Sequence, residues 1–251
     1  MALPYLRAGS GKPLVLVHGY LGGSAQWQGQ LAAFAQTHDV IAPDLPGFGQ
    51  ATALPGPARI EDFASAVMQC IDGLAVGSFA LLGHSMGGMI AQEIAAQSRD
   101  RIDALVLYGT GPLGLMPDRF EPIETSLARL EAEGVPKTAD RISATWFRDG
   151  AAATGYTKTR DIARLAHPQA ARHALLAMRD WDGREALTGF DMPCRILWGD
   201  QDRSYRWPQV HALWNGAPGA ELAVIPGASH AAHMEKPDLF NALVQDFLRS
   251  A

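Results

Sequence analysis

Leu14-Val-Leu-Val17 is an unbroken apolar run that ends at His18-Gly19 and a glycine-containing loop to Gly23, a pattern that predicts a buried strand. The same signature recurs at Val40-Ile-Ala42 before Pro43-Asp44, at Phe79-Ala-Leu-Leu82 before Gly83, and at Ala104-Leu-Val-Leu-Tyr108 before Gly109. It returns late in the chain at Arg195-Ile-Leu-Trp198 before Gly199 and at Glu221-Leu-Ala-Val-Ile225 before Pro226-Gly227. Between these runs the apolar spacing becomes helical. Phe63, Val67, Cys70, Ile71 and Leu74 form one stripe, Met89, Ile90, Ile94 and Ala95 a second, and Phe240, Leu243, Val244 and Phe247 a third after Pro237. Buried strands alternating with amphipathic helices predict an α/β fold with a mostly parallel sheet covered on both faces.

Residues 113–190 break the alternation. Ile123, Leu127 and Leu130 carry helical spacing, a second helix is expected around Ile142 to Phe147, and a third runs from Pro168 through Leu175 and Met178. Pro112, Pro117 and Pro122 punctuate the start of this stretch, and Gly183 and Gly189 its end. The expected organisation is a core of residues 1–112 and 191–251, with residues 113–190 inserted as a helical cap over one end of the sheet.

The 251 residues are 47% hydrophobic and 19% charged with a formal net charge of -5, an ordinary globular composition. No basic block is available to grip a nucleic-acid backbone or an anionic membrane. No apolar run approaches a membrane span, and the first residues lack a basic segment followed by a long apolar one, so a cytoplasmic location is the expectation. Cys70 and Cys194 are too few for a disulfide framework and read as reduced thiols. These features imply nothing about the number of subunits.

The segment that carries chemistry is Phe79-Ala-Leu-Leu-Gly-His-Ser-Met-Gly-Gly88, in which Gly83, Ser85 and Gly87 are spaced as GxSxG. A serine in a tight strand-to-helix turn projects its hydroxyl only where neighbouring backbones approach without Cβ clashes, hence the glycines. The helix that follows offers free N–H groups to a developing oxyanion. With this elbow, His18-Gly19, and a DxxGxG loop at Asp44-Leu-Pro-Gly-Phe-Gly49, the chain resembles the α/β-hydrolase superfamily over nearly its whole length, particularly single-domain members with a helical cap. Serine at the elbow, where related dehalogenases and many epoxide hydrolases carry aspartate, argues against both of those activities.

The resemblance implies roles residue by residue. Ser85 is the expected nucleophile. His230, in the loop after the last predicted strand, is the expected base, with Glu235-Lys236-Pro237 following as in the family and His233 a rival. Asp202, the second aspartate of Gly199-Asp-Gln-Asp202, is the expected acid, with Asp200 the competitor as a turn-capping residue. The Tyr20 and Met86 amides are the expected oxyanion hole, with Leu21 as an alternative to Tyr20. His18 and His84 are expected to pack or hydrogen-bond beside the site. No zinc-type histidine pattern, dinucleotide glycine motif or phosphate-binding loop is present, so neither metal nor organic cofactor is called for.

The expected reaction is hydrolysis of a small-molecule carboxylic ester or lactone through an acyl-enzyme. The chain looks like the oxoadipate enol-lactone hydrolases and also like carbon–carbon bond hydrolases of vinylogous diketones. The latter's usual HGxGPG form is replaced here by His18-Gly-Tyr-Leu-Gly-Gly23. Perhydrolase or acyl-transfer chemistry, and a noncatalytic small-molecule receptor, are the remaining alternatives. Leu113, Leu115, Met116, Trp146, Phe147 and Trp181 are candidate pocket walls, and Arg148, Arg203 and Arg206 candidate partners for a substrate carboxylate.

Overall fold

The computed structural model describes residues 2–115 and 120–251. A seven-stranded sheet is formed by β1 (Tyr5–Ala8), β2 (Lys12–Val17), β3 (His38–Pro43), β4 (Phe79–His84), β5 (Ile102–Tyr108), β6 (Cys194–Gly199) and β7 (Glu221–Ile225). Their order across the sheet is β1-β3-β2-β4-β5-β6-β7, with β1 antiparallel to β3 and every other pairing parallel. The chain moves one way from β2 to β3 and then crosses to β4 on the other side of β2. That reversal opens a crevice at the carboxyl ends of β2 and β4, where open α/β sheets bind ligands.

The core helices are α1 (Gln28–Phe34), α2 (Ile60–Gly73) and α3 (Met86–Gln97). Between β5 and β6 lie α4 (Ile123–Thr145), α5 (Tyr156–Ala163), α6 (Pro168–Asp180) and the short α7 (Arg184–Leu187). The chain closes with α8 (Trp207–Gly216), the single turn α9 (Ala232–Glu235), and α10 (Pro237–Ser250). Alternate residues of the central strands feed two cores. Leu14, Leu16, Val40 and Leu82 pack with Trp27, Leu31 and Phe34 beside α1 and with Phe240, Val244 and Phe247 of α10. Val15, Val17, Ile41 and Leu81 face Phe63, Val67 and Ile71 of α2 and Ile90 and Ile94 of α3. Strands buried on both faces cannot alternate apolar with polar, which is why the runs read as continuous.

All six expected strands form. β1 was not among them: three of its four residues are exposed, and it is held along β3 by backbone pairing and by a two-pronged Arg7–Asp39 bridge at 2.8 and 2.6 Å. The stripes at Ile123 and Ile142 belong to one element. Gly134 interrupts α4 with φ 72°, just before Pro136, so two helical pieces meet at a kink instead of being separated by a loop. The region also contains α5, which no stripe announced, and an isolated antiparallel bridge between Leu113 and Asp182 at its base. Met116 and Pro117 lie outside the described residues.

Candidate active site

Ser85 sits between the end of β4 and the first residue of α3, with φ 57° and ψ -121°. A side chain at positive φ is strained by about 1–3 kcal/mol, and the surroundings hold it there. The Ser85 amide donates to Tyr108 O at 3.0 Å, and Thr110 Oγ1 donates to Ser85 O at 2.8 Å. A Cβ on Gly83 would run into the Gly87 carbonyl oxygen, and one on Gly87 into the carbonyls of Val17 and His18. The spacing of the elbow glycines is therefore set by backbone crossing backbone.

His230 follows β7 on a loop, and its Nδ1 donates to Asp202 Oδ2 at 2.8 Å, both side chains being buried. Asp202 Oδ1 accepts the Ser204 and Tyr205 amides at 2.7 and 3.1 Å, so the carboxylate is held by two amides while its second oxygen fixes the imidazole. Asp200 does what a turn-capping aspartate does: its Oδ1 accepts the Gly227 amide at 2.6 Å. The His230 ring lies near-parallel to Tyr205, ring centres 5.8 Å apart, and tilted against Trp146 at 6.2 Å. Ser85 and His230 line one cavity together, and no hydrogen bond joins them among the described residues, a looseness common before the reacting geometry tightens.

Behind His230, buried polar rings hold its backbone. His84 Nε2 and Tyr108 Oη both donate to the His230 carbonyl, at 3.0 and 2.7 Å, and Tyr108 Oη accepts the His233 amide at 3.2 Å. Burial, reinforced by the other histidines, drives His84 well below the usual histidine range and His233 down to about 3, so both are neutral near pH 7. Burial likewise pushes the Tyr108 phenol well up. His233, the rival base, packs on Trp27 at 4.7 Å and does not line the cavity.

His18 has a definite job in the loop after β2. The Leu45 amide donates to His18 Nε2 at 3.0 Å, which leaves the ring proton on Nδ1, donated to Gly19 O at 2.9 Å. The Gly22 amide donates to the same oxygen at 3.0 Å. In a trans peptide C=O and N–H point opposite ways, so pinning Gly19 C=O aims the Tyr20 N–H away from His18. This peptide lies against the elbow, since a Cβ on Gly19 would come within 2.8 Å of Ser85 Cβ. Asp44 of the DxxGxG loop accepts the Ser24 amide at 2.6 Å and ties the next segment down.

The cavity is a narrow one of about 40 Å³ between the core and the cap. Ser85, His230, Tyr20, Ser204 and Tyr205 form its core side, and Ile142, Trp146, Leu175 and Met178 its apolar cap walls. Of the described residues expected to bind substrate, only Trp146 lines it. Phe147 and Arg148 border a separate surface cleft, Arg203 is exposed and donates to the Arg148 carbonyl at 2.8 Å, and Arg206 is exposed at the start of α8. Trp181 is buried with its Nε1 donating to Glu93 at 2.7 Å, Leu113 is taken by the bridge to Asp182, and Leu115 is exposed. The structure brings in instead Thr138, Arg141 and Ser126 from α4, with Phe120. Thr138, Arg141 and Ile142 share a face at i, i+3 and i+4, a signal that an arginine on an otherwise apolar stripe could have given.

Glu235 was legible only as part of a motif. Its carboxylate accepts the Arg148 amide at 2.6 Å and the Ser229 amide at 2.6 Å, and the Ala231 amide donates to Trp146 O at 2.8 Å, so cap and histidine loop are stitched together. Among the described residues no group of three or more His, Cys, Asp or Glu is placed to hold a metal ion, and no helix is long and apolar enough to cross a membrane.

The sequence pattern of the alpha/beta hydrolase family matches residues 14–243. The chain belongs to that family. Within it, the chain is similar to the enol-lactonase of Burkholderia xenovorans LB400, at 25% identity and TM-score 0.89, covering 98% of this chain and 96% of that one. It is also similar to a thermophilic esterase of Thermogutta terrifontis solved with malate bound, at 28% identity and TM-score 0.90, covering 99% and 93%. Among curated relatives, (E)-2-((N-methylformamido)methylene)succinate hydrolase of Acinetobacter baylyi is 27% identical over 98% of this chain and 94% of its own length.

Proposed function

We propose that this alpha/beta hydrolase cleaves a small-molecule carboxylic ester or lactone through an acyl-enzyme on Ser85. The observation that carries the reading is the buried Asp202–His230 pair facing the same cavity as a serine held at positive φ. Its likeness to an enol-lactonase and an esterase supports that substrate class. Asp202 keeps the His230 proton on Nδ1, leaving Nε2 to take the Ser85 proton as Oγ attacks the acyl carbon. The oxyanion meets two amides: Tyr20 N–H, aimed by His18, and Met86 N–H, which as the first residue of α3 has no intrahelical acceptor. Collapse passes the proton from His230 to the leaving oxygen, and water then enters by the reverse sequence to release the acid. A carboxylate-bearing member of the class is the finer reading, and it cannot rest on Arg148 or Arg203, which lie outside the cavity.

Turnover of an activated ester tests this. The wild-type protein should release one equivalent of leaving group in a burst before steady turnover, and Ser85→Ala should lose the burst and nearly all turnover while remaining folded. Wild-type-like hydrolysis by Ser85→Ala would remove the serine from the mechanism.

A further inference from the structure

The cap wall of the cavity carries buried hydrogen-bonding atoms that have no partner among the described residues. Thr138 is 2% exposed and its Oγ1 has no hydrogen-bond partner among the described residues. Arg141 Nη2, one turn further along α4, is buried and equally unpartnered. Both residues line the cavity that holds Ser85. On its core side Ser204 Oγ is a third such atom. An apolar ligand would leave these groups dry and unpaired, which costs most for the charged one.

The rest of Arg141 is already engaged. Nη1 donates to the Glu121 carboxylate at 3.3 and 3.2 Å, and Nε to Glu133 at 3.4 Å. Glu121 is buried and heavily subscribed: Arg129 lies 2.6 Å from it and Ser126 Oγ donates to it at 2.6 Å. A cationic ligand group would find the Glu121 carboxylate already taken by these partners. A ligand oxygen finds a charged donor and a hydroxyl on the same helical face, the complement of a group with two acceptor oxygens.

We infer that Arg141 Nη2 and Thr138 Oγ1 form a subsite for a substrate carboxylate, so that the protein selects half-esters or lactones of small dicarboxylic acids. This deepens the proposed function and rests on it for the reacting end alone. Arg141 and Thr138 are binding residues here and touch no reacting atom. Their interaction is made in ground and transition state alike, so its loss appears mainly in KM.

The test compares mono-p-nitrophenyl esters of succinic, glutaric and adipic acids, each beside its neutral methyl-capped partner. The readout is the ratio of kcat/KM for acid over neutral ester within each protein, which a general loss of active protein does not move. The wild-type ratio should reach about tenfold or more for at least one chain length. It should collapse toward one in Arg141→Gln, survive in part in Arg141→Lys, and fall a few-fold in Thr138→Val. A wild-type ratio at or below one throughout, as expected if only ordered water fills this wall, overturns the inference, and so does a ratio that Arg141→Gln leaves unchanged. If no ester is cleaved the reaction reading fails, and the subsite is then judged by melting of Ser85→Ala with glutarate. Stabilisation by glutarate and not by its dimethyl ester, abolished by adding Arg141→Gln, supports it; no stabilisation, or stabilisation indifferent to Arg141, overturns it.

Discussion

Acid should destabilise this protein through the histidines packed behind the active site, and His233 gives the size of the effect. In the unfolded chain an ordinary histidine takes up its proton near pH 6.5, whereas burial holds His233 neutral down to about 3. The unfolded state therefore binds more protons across that window, so stability is full above it and falls as pH drops from about 6.5 toward 3. Between pH 7 and pH 5 roughly 1.5 pH units of this linkage are traversed, and at about 1.36 kcal/mol per unit His233 alone removes about 2 kcal/mol. For a chain of this size that is about 4–8 °C in Tm. His84 is displaced in the same direction, chiefly by burial, and adds to the loss. Urea unfolding at both pH values, for the wild type and for His233→Phe, isolates the contribution, because phenylalanine preserves the aromatic contact with Trp27 without a titrating group. The variant should lose about 2 kcal/mol less than the wild type on acidification. Equal losses would show that His233 is not held neutral in the fold.

Four substitutions probe the site from different sides. Asp202→Asn should lower kcat by about 10⁴-fold by disturbing the His230 tautomer, whereas Asp200→Asn, which touches only the Gly227 amide, should stay close to wild type in an ester assay; the reverse order would reassign the acid. His18→Ala frees the Gly19–Tyr20 peptide and should cost at least about tenfold in kcat with little change in KM, approaching the roughly 10²–10³ of a lost oxyanion donor; a pure KM effect would contradict that geometry. Tyr108→Phe strands the buried His233 N–H and removes one of two donors to His230 O, for a loss of about 1–3 kcal/mol in urea unfolding; an unchanged midpoint would show that neither bond matters to stability.

What the sequence made legible follows from how each feature is encoded. The central strands announce themselves because both faces are buried and no polar residue interrupts them. β1 escapes because its pairing is backbone hydrogen bonding on an exposed edge, which leaves no mark on side-chain pattern. The elbow is legible because backbone crossings at Gly83 and Gly87 exclude any side chain, and Asp202 and His230 are legible through their place after β6 and β7. The pocket wall was not. Arg148, Arg203 and Arg206 are candidates as cations able to pair with a substrate carboxylate, yet Arg148 borders a separate surface cleft, Arg203 is exposed and donates to the Arg148 carbonyl, and Arg206 is exposed. Arg141 faces inward because the kink at Gly134 sets the second half of α4 over the crevice with Thr138 and Ile142 on its inner face, an orientation fixed by tertiary packing.

The central claim, that Ser85 is an activated nucleophile, is tested most directly by exposing folded and denatured protein to a small fluorophosphonate and mapping the adduct by intact mass and peptide analysis. The account predicts a single adduct on Ser85 in the folded protein, absent after denaturation and much slowed in Asp202→Asn. Labelling that is spread over several serines, that survives denaturation, or that spares Ser85 would contradict it.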